Sequence, residues 1–298
     1  MRWFLKNKNK NFRFKTDMPS YEEALREAKN NLRKAGKETT AAEMLMLHFA
    51  GLKTTELYLR YDKEMPYRHY QRFHDAIVEH IQKNRPVQYI IGSVFFLGHK
   101  INVNEKVLIP RHETEELANQ VLLLYDEHFL SRPVRLADIG TGSGCIAIAI
   151  KKEAPAIEVY ATDISHDALE TAKENADRLA ADITFLEGDL LSPLEGMKFD
   201  IIVANPPYIP ENETIEKIVF DNEPHLALFG GSDGLLYYRR ILETAKYYLN
   251  DKYLIAFEHA YDTAASIRDM AVANFPGSTV KTVKDMQGCD RMTFILNI

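Results

Sequence analysis

Phe199-Asp200-Ile201-Ile202-Val203-Ala204-Asn205-Pro206-Pro207-Tyr208 is the stretch on which the fold turns. Its first part is an apolar run that reads as a buried parallel strand. The tetrapeptide Asn205–Tyr208 then stands at the carboxyl end of that strand, where open α/β sheets place their ligands. Consecutive prolines fix φ and remove N–H donors. Carbonyl oxygens, one side-chain amide and one aromatic face are left to meet a ligand. That set can accept both hydrogens of a planar –NH2 group while the ring packs on its π face. Acid–base or metal chemistry would require other residues. Read alone, Asn-Pro is also a plain turn signal, so the segment upstream decides.

That segment is Asp138-Ile139-Gly140-Thr141-Gly142-Ser143-Gly144, between the strand-like Val134–Ala137 and the helix-like Cys145–Ile150. Its glycines allow a tight turn and close approach of backbone to a ligand at a helix N-terminus. The spacing is G-x-G-x-G rather than the dinucleotide G-x-G-x-x-G. The next strand-like run, Glu158–Thr162, ends in Asp163, 23 residues after Gly140. An acid there suits a ribose diol. It would also serve as a helix cap, with Ser165 as the competing cap. A third run, Ile183–Glu187, ends in Gly188-Asp189-Leu190. Four successive strand ends thus carry a glycine loop, Asp, Gly-Asp and Asn-Pro-Pro-Tyr.

With these residues the chain resembles the S-adenosylmethionine-dependent class I methyltransferases, and Asn-Pro-Pro-Tyr places it among those that methylate planar nitrogens. More narrowly, it is similar to the peptide chain release factor glutamine-N5 methyltransferase family, from about Tyr21 to Ile298. Separated blocks carry that likeness: Arg85-Pro86-Val87-Gln88-Tyr89-Ile90-Ile91-Gly92, Val107-Leu108-Ile109-Pro110-Arg111-His112-Glu113-Thr114-Glu115, Glu223-Pro224, Gly230-Gly231-Ser232-Asp233-Gly234, and Asp285–Arg291. The chain departs from the family at His112, where proline is usual, at Leu190, where an aromatic residue is common, and at Glu258-His259-Ala260, which replaces Glu-x-Gly.

The resemblance implies methylation of the glutamine in the Gly-Gly-Gln loop of peptide chain release factors, in the cytoplasm and in the service of translation termination. The donor is S-adenosylmethionine and the product S-adenosylhomocysteine. The expected cofactor set is Gly140, Thr141, Gly142, Ser143, Gly144, Asp163, Asp189, Leu190 and Asn205. Asn205, Pro206 and Tyr208 are expected to carry catalysis, with Pro207 joining them in contact with substrate. Oδ1 of Asn205 and the Pro206 carbonyl are the expected acceptors of the two amide N–H bonds. The sequence marks no histidine or carboxylate as a general base. Two alternatives share the tetrapeptide: a ribosomal-protein glutamine methyltransferase, and a nucleic-acid adenine N6-methyltransferase, which requires a basic and aromatic surface for a flipped base.

Composition agrees. The chain has 298 residues, 46% of them hydrophobic, enough to bury a sizeable core. A net charge of −6 argues against direct nucleic-acid binding by the surface as a whole. Cys145 and Cys289 offer neither a disulfide framework nor a metal set, and Cys145 reads as a small core residue. No run approaches the ~20 apolar residues of a membrane span. Residues 1–19 read as a basic extension without the apolar region of a secretory signal; the sharper alternative is an arm touching RNA or an anionic surface.

Capping signals divide the remainder. Ser20-x-x-Glu23 and Thr40-x-x-Glu43 predict capping boxes, Gly36 and Gly51 helix stops, and Pro66 the first position of a helix to about Asn84. Residues 20–85 then form a helical, substrate-recognising bundle of about four helices, and 86–110 a β-rich connector. Residues 111–298 form a class I, Rossmann-like methyltransferase domain with a mostly parallel seven-stranded sheet. Helices are expected at Asp167–Leu179, Leu235–Leu249 and Thr263–Asn274, and an antiparallel pair of strands at the end.

Overall fold

A computed structural model describes residues 18–298; the basic run before them, and with it most of the expected extension, lies outside the described residues. The chain divides into two compact units at Ile91 and Gly92. No helix among the described residues is long and apolar enough to cross a membrane.

The first unit holds α1 (Tyr21–Lys34), α2 (Thr40–Ala50), α3 (Thr54–Tyr58), α4 (Tyr67–Gln82) and α5 (Val87–Ile91). Ser20 forms its capping box: its hydroxyl accepts from Glu23 N at 3.2 Å, and Ser20 N donates to Glu23 at 2.9 Å. The box expected at Thr40 does not form. Thr40 already lies inside α2, Thr39 is the N-cap without a side-chain bond, and Glu43 pairs with Lys29. Pro66 sits one position earlier than expected, as the N-cap of α4, where its carbonyl accepts from His69 and Tyr70. Leu32, Leu45, Met46, Leu57 and Met65 are completely buried and join the helices in one core. The β-structure of the connector begins at Ser93 rather than at Val87: Tyr89 N and Ile90 N donate to Pro86 O, and Val87–Ile91 is a short helix. Proline is well suited to start a helix because its φ is preset and it has no N–H to satisfy.

The second unit begins with a hairpin of β1 (Ser93–Phe96) and β2 (His99–Asn102), turned through Leu97 and Gly98 at φ 44° and 78°. Then follow α6 (His112–Phe129), β3 (Arg135–Ile139), α7 (Cys145–Glu153), β4 (Glu158–Asp163), α8 (His166–Leu179), β5 (Ile183–Glu187) and β6 (Phe199–Ala204). After these come α9 (Lys217–Asn222), α10 (Leu236–Ala245), β7 (Leu249–Glu258), α11 (Ala264–Asn274), β8 (Thr279–Lys284) and β9 (Asp290–Asn297). The seven-stranded sheet runs β5-β4-β3-β6-β7-β9-β8. It is parallel from β5 to β7, and β9 is antiparallel to both its neighbours. Strand order reverses between β3 and β6, so the crevice that open sheets offer to ligands lies at those carboxyl ends.

Both faces of the sheet are covered, which is why its central strands read as apolar runs rather than alternating ones. Ala137, Ile139, Ile202, Ala204, Ile255 and Phe257 pack with Tyr238, Ile241 and Leu242 of α10 and Ile267 and Ala271 of α11. Residues of the opposite parity, Leu136, Ile201, Val203, Leu254 and Ala256, are equally buried. The helix expected to reach Leu249 stops at Ala245. Leu249 fits the helical period, but it pairs with Phe199 instead, and the register then jumps to Ile201 opposite Leu254.

One buried amide fastens the hairpin and the glycine loop to the same helix. Asn175 of α8 donates from Nδ2 to Asn102 O at 2.9 Å and to Ser143 O at 3.0 Å, and its Oδ1 accepts from Asn102 N at 2.8 Å. Asn175→Ala leaves these backbone groups without partners. It should cost roughly 2–3 kcal/mol, measured as a shift in the urea midpoint at constant slope.

Candidate active site

The glycine loop leans on the end of β4. Gly140 N and Thr141 N both donate to Thr162 O, at 2.8 and 2.9 Å. Gly142, at φ 56°, turns its own N–H onto Asp163 Oδ2 at 2.9 Å. Positive φ at that position is cheap for glycine and strained for other residues. Ser165 N holds Asp163 Oδ1 at 2.9 Å, while the Ser165 hydroxyl caps α8. Burial raises the Asp163 carboxyl above its ordinary range, and the backbone donors of Ser165 and Gly142 pull it down. Each oxygen still has lone-pair capacity for a further donor.

Asp163 lines a cavity with Leu108, Gly140, Gly142, Ser165, Asn205, Pro207, Pro224, Leu226 and Ala227. Thr141, Ser143, Gly144, Asp189 and Leu190 are not on its wall, for separate reasons. The Thr141 hydroxyl donates to buried Asp138 at 2.6 Å. Ser143 is itself buried, with its carbonyl on Asn175. Gly144 sits against Ala172 and Ile148. Asp189 is ion-paired with Arg240 of α10. Leu190 packs against the core, and its carbonyl accepts from the Thr162 hydroxyl at 2.9 Å.

A second cavity of about 370 Å³ is lined by Leu108, Arg111, Asn205, Pro206, Tyr208, Ile209, Val219, Ala227 and Glu258, among others. Leu108, Asn205 and Ala227 belong to both walls. Asn205 therefore stands where the two cavities meet. Pro207 lines only the first, so the tetrapeptide divides its side chains between them.

Neighbouring segments fix the direction of that tetrapeptide. Past Tyr208 the chain pairs with 228–230: Ile209 N donates to Leu228 O at 3.0 Å and Gly230 N to Ile209 O at 2.8 Å. A Cβ at Gly230 would stand 2.4 Å from Pro207 O, and one at Gly234 2.3 Å from Tyr208 O. Only glycine permits so close an approach of two backbones. Asn205 Nδ2 donates to Thr114 Oγ1, in the first turn of α6, at 3.0 Å. With the nitrogen engaged there, Oδ1 is the amide atom left to accept from a ligand. Buried Glu223 accepts from Ile109 N at 3.0 Å and from Arg111, and so ties the 109–111 segment to α9.

Glu258 is a site residue the sequence reading missed. The register pairs Ala204 of β6 with Phe257 of β7, so Asn205 and Glu258 leave the sheet side by side. Glu258 is 1% exposed, and its Oε2 has no hydrogen-bond partner. Burial pushes the carboxyl up to about 7; Thr114, Arg291 and Asn205 draw it down, and Glu113 adds to the rise. The signal was available: an acid ending an apolar strand is the cue that singled out Asp163. Burial likewise raises the Tyr208 hydroxyl, which stays protonated at neutral pH.

Family models match the chain in two places, the Methyltransferase small domain over residues 118–231 and the PrmC N-terminal domain over residues 23–92. The chain is 40% identical over 276 residues to the "Release factor glutamine methyltransferase" of Bacillus cereus, covering 91% of this chain and 97% of that one. It is also 40% identical to the protein of the same name from Bacillus subtilis, covering 90% and 95%. A solved methyltransferase from Pyrococcus furiosus superposes with a TM-score of 0.50 at 22% identity, over 67% of this chain and 88% of that one, a likeness of fold alone.

The Glu258 carboxyl has a consequence for stability. Its value is raised from 4.5 to about 7, so the native chain binds more protons than the unfolded chain between those limits. The stabilisation is complete below the lower value and lost as pH rises through the upper one. Glu258→Gln removes it. The difference in Tm, variant minus parent, should therefore grow between about pH 5 and about pH 8; a constant difference would mean the carboxyl titrates normally.

Proposed function

The chain belongs to the release factor glutamine methyltransferase family, and from that premise we propose that it methylates N5 of the glutamine in the Gly-Gly-Gln loop of peptide chain release factors. The observation that supports this reading best is the meeting of two cavities at an asparagine whose amide nitrogen is already engaged by Thr114.

The first cavity suits S-adenosylmethionine. Asp163 offers a fixed carboxylate to ribose hydroxyls, and nothing lies within 4 Å of a Cβ built at Gly140 or Gly142, so the loop backbone can be approached closely. Leu108, Pro224 and Leu226 give an apolar wall for a purine ring. When bound, the cofactor supplies a sulfonium methyl whose loss leaves a neutral thioether, so no anion has to be expelled.

The difficulty is the nucleophile. The lone pair of an amide nitrogen is delocalised into its carbonyl and is poorly basic. Asn205 Oδ1 and the Pro206 carbonyl accept its two N–H bonds, which orients the nitrogen and favours the positive charge that develops on it. Orientation alone is worth up to ~7–11 kcal/mol. The Tyr208 ring packs on the amide, and Leu108, Ile209 and Val219 keep water from it. The glycines of a Gly-Gly-Gln loop add no bulk at the mouth. The helical unit before Gly92 supplies the docking surface that selects the release factor.

Asn205→Ala should lower methyl transfer to release factor by about 10²-fold or more while the cofactor still binds; parental turnover would reduce Asn205 to a turn residue. Asp163→Ala should weaken cofactor binding by about 1–3 kcal/mol, read by calorimetry. Tritiated-methyl transfer with release factor, ribosomal protein and DNA offered separately tests the substrate. Label on adenine, with release factor unmodified, would overturn the proposal.

A further inference from the structure

We propose that Glu258 is the base that receives the proton released when the substrate amide nitrogen is methylated. This rests on the reaction proposed above. The nitrogen enters with two hydrogens and leaves with one. It forms a bond to the methyl carbon as the S–CH3 bond breaks with its electron pair on sulfur. One N–H bond then breaks with its pair retained on nitrogen, and that proton needs an acceptor. The Asn205 and Pro206 carbonyl oxygens orient the N–H bonds but are far too weakly basic to keep a proton.

Glu258 meets the requirement by position. It lines the same cavity as Asn205, Pro206 and Tyr208. Glu213 and Glu216, on the same wall, are exposed to solvent, whereas Glu258 is buried with Oε2 unpartnered. Thr114 Oγ1 accepts from Asn205 Nδ2, which leaves its own O–H to donate to the carboxylate. One hydroxyl thus couples the residue that orients the amide to the residue that takes its proton.

The charges around Glu258 come from every element packed on it. Glu113 on α6 disfavours ionisation, and Arg291 on β9 favours it. Arg291 is held by buried Asp285 at 3.1 Å. Arg111 stands on the same cavity wall. The protonated hydroxyls of Tyr208 and Tyr238 complete the surroundings, the latter donating to the Glu258 carbonyl at 2.7 Å. The outcome is a carboxylate basic enough to hold a proton and still ionised in part near neutrality.

The test uses the full chain with intact release factor. Glu258→Gln should lower single-turnover kcat by about 10²-fold or more, with KM for release factor and calorimetric cofactor affinity unchanged. The acid limb of the parental pH profile should vanish in Glu258→Gln and persist, at a reduced rate, in Glu258→Asp. Infrared difference spectra without cofactor should give a carboxylic C=O band that titrates near neutrality in the parent and is missing from Glu258→Gln. A Glu258→Gln variant at the parental rate, or one that keeps the acid limb, overturns the inference. In the second case Asp138, also buried and raised to about 7, is the titrating group. If Glu258→Gln does not fold, the parental band and its displacement in Glu258→Asp decide, and no band titrating near neutrality overturns the inference. A parent that leaves release factor unmethylated overturns the proposed function and this inference together. A parent that methylates, with a glutamine variant that keeps pace, overturns this inference alone.

Discussion

The hydrogen bond from Asn205 Nδ2 to Thr114 Oγ1 settles which way a small amide faces, and much of the second unit serves to keep it in place. Asn205 is set by the end of β6, Thr114 by the first turn of α6. The sheet register delivers the first, since β6 is clamped between β3 and β7 by parallel ladders. The position of α6 follows from the segment before it, where Glu223 takes Ile109 N and Arg111. Loosening either support would free the amide to rotate and turn a donor toward the cavities where Oδ1 now faces them.

The buried carboxyls of this unit illustrate how donors offset the cost of burial. Asp285 accepts from Gln287 N, Cys289 N and Arg291, and is held below the usual carboxylate range. Asp163 has backbone donors from Gly142 and Ser165, yet burial outweighs them and raises its carboxyl above the ordinary range. Asp138 has the Thr141 hydroxyl on one oxygen and, like Glu258, no partner on the other, and rises to about 7. Glu258, with an oxygen left unpartnered, rises to a similar value. Charged carboxylates in apolar surroundings are costly unless fully hydrogen-bonded. Structural acids here are well supplied with donors, and the under-supplied ones cluster at the carboxyl ends of the strands.

The sheet was legible because both its faces are covered, and apolar runs such as Phe199–Ala204 have no other stable place. Strand-end residues could be placed on the ligand side by the same logic. Which of them face a cavity was not legible. Asp189 is an acid at a strand end like Asp163, yet Arg240, 51 residues later, takes its carboxylate. Glu258 reads in the sequence only as part of a departure from Glu-x-Gly, and its place beside Asn205 follows from a register between strands that are distant in sequence. The helix at Val87–Ile91 was hidden by its β-prone composition, which a single proline overrides. Thr40 looked like a cap because capping boxes are read by spacing, and spacing is blind to a helix that begins one residue early.

The close backing of Pro207 and Tyr208 by Gly230 and Gly234 bears on how this strand-end unit can be transplanted. With so little room between the backbones, Asn-Pro-Pro-Tyr does not hold its shape by sequence alone; the glycine-bearing strap is part of its mould. Grafting the tetrapeptide onto the end of another parallel strand would reproduce its letters without its carbonyl directions. The minimal portable module is therefore discontinuous, 204–209 together with 228–234, and an engineered host must supply both at the spacing found here.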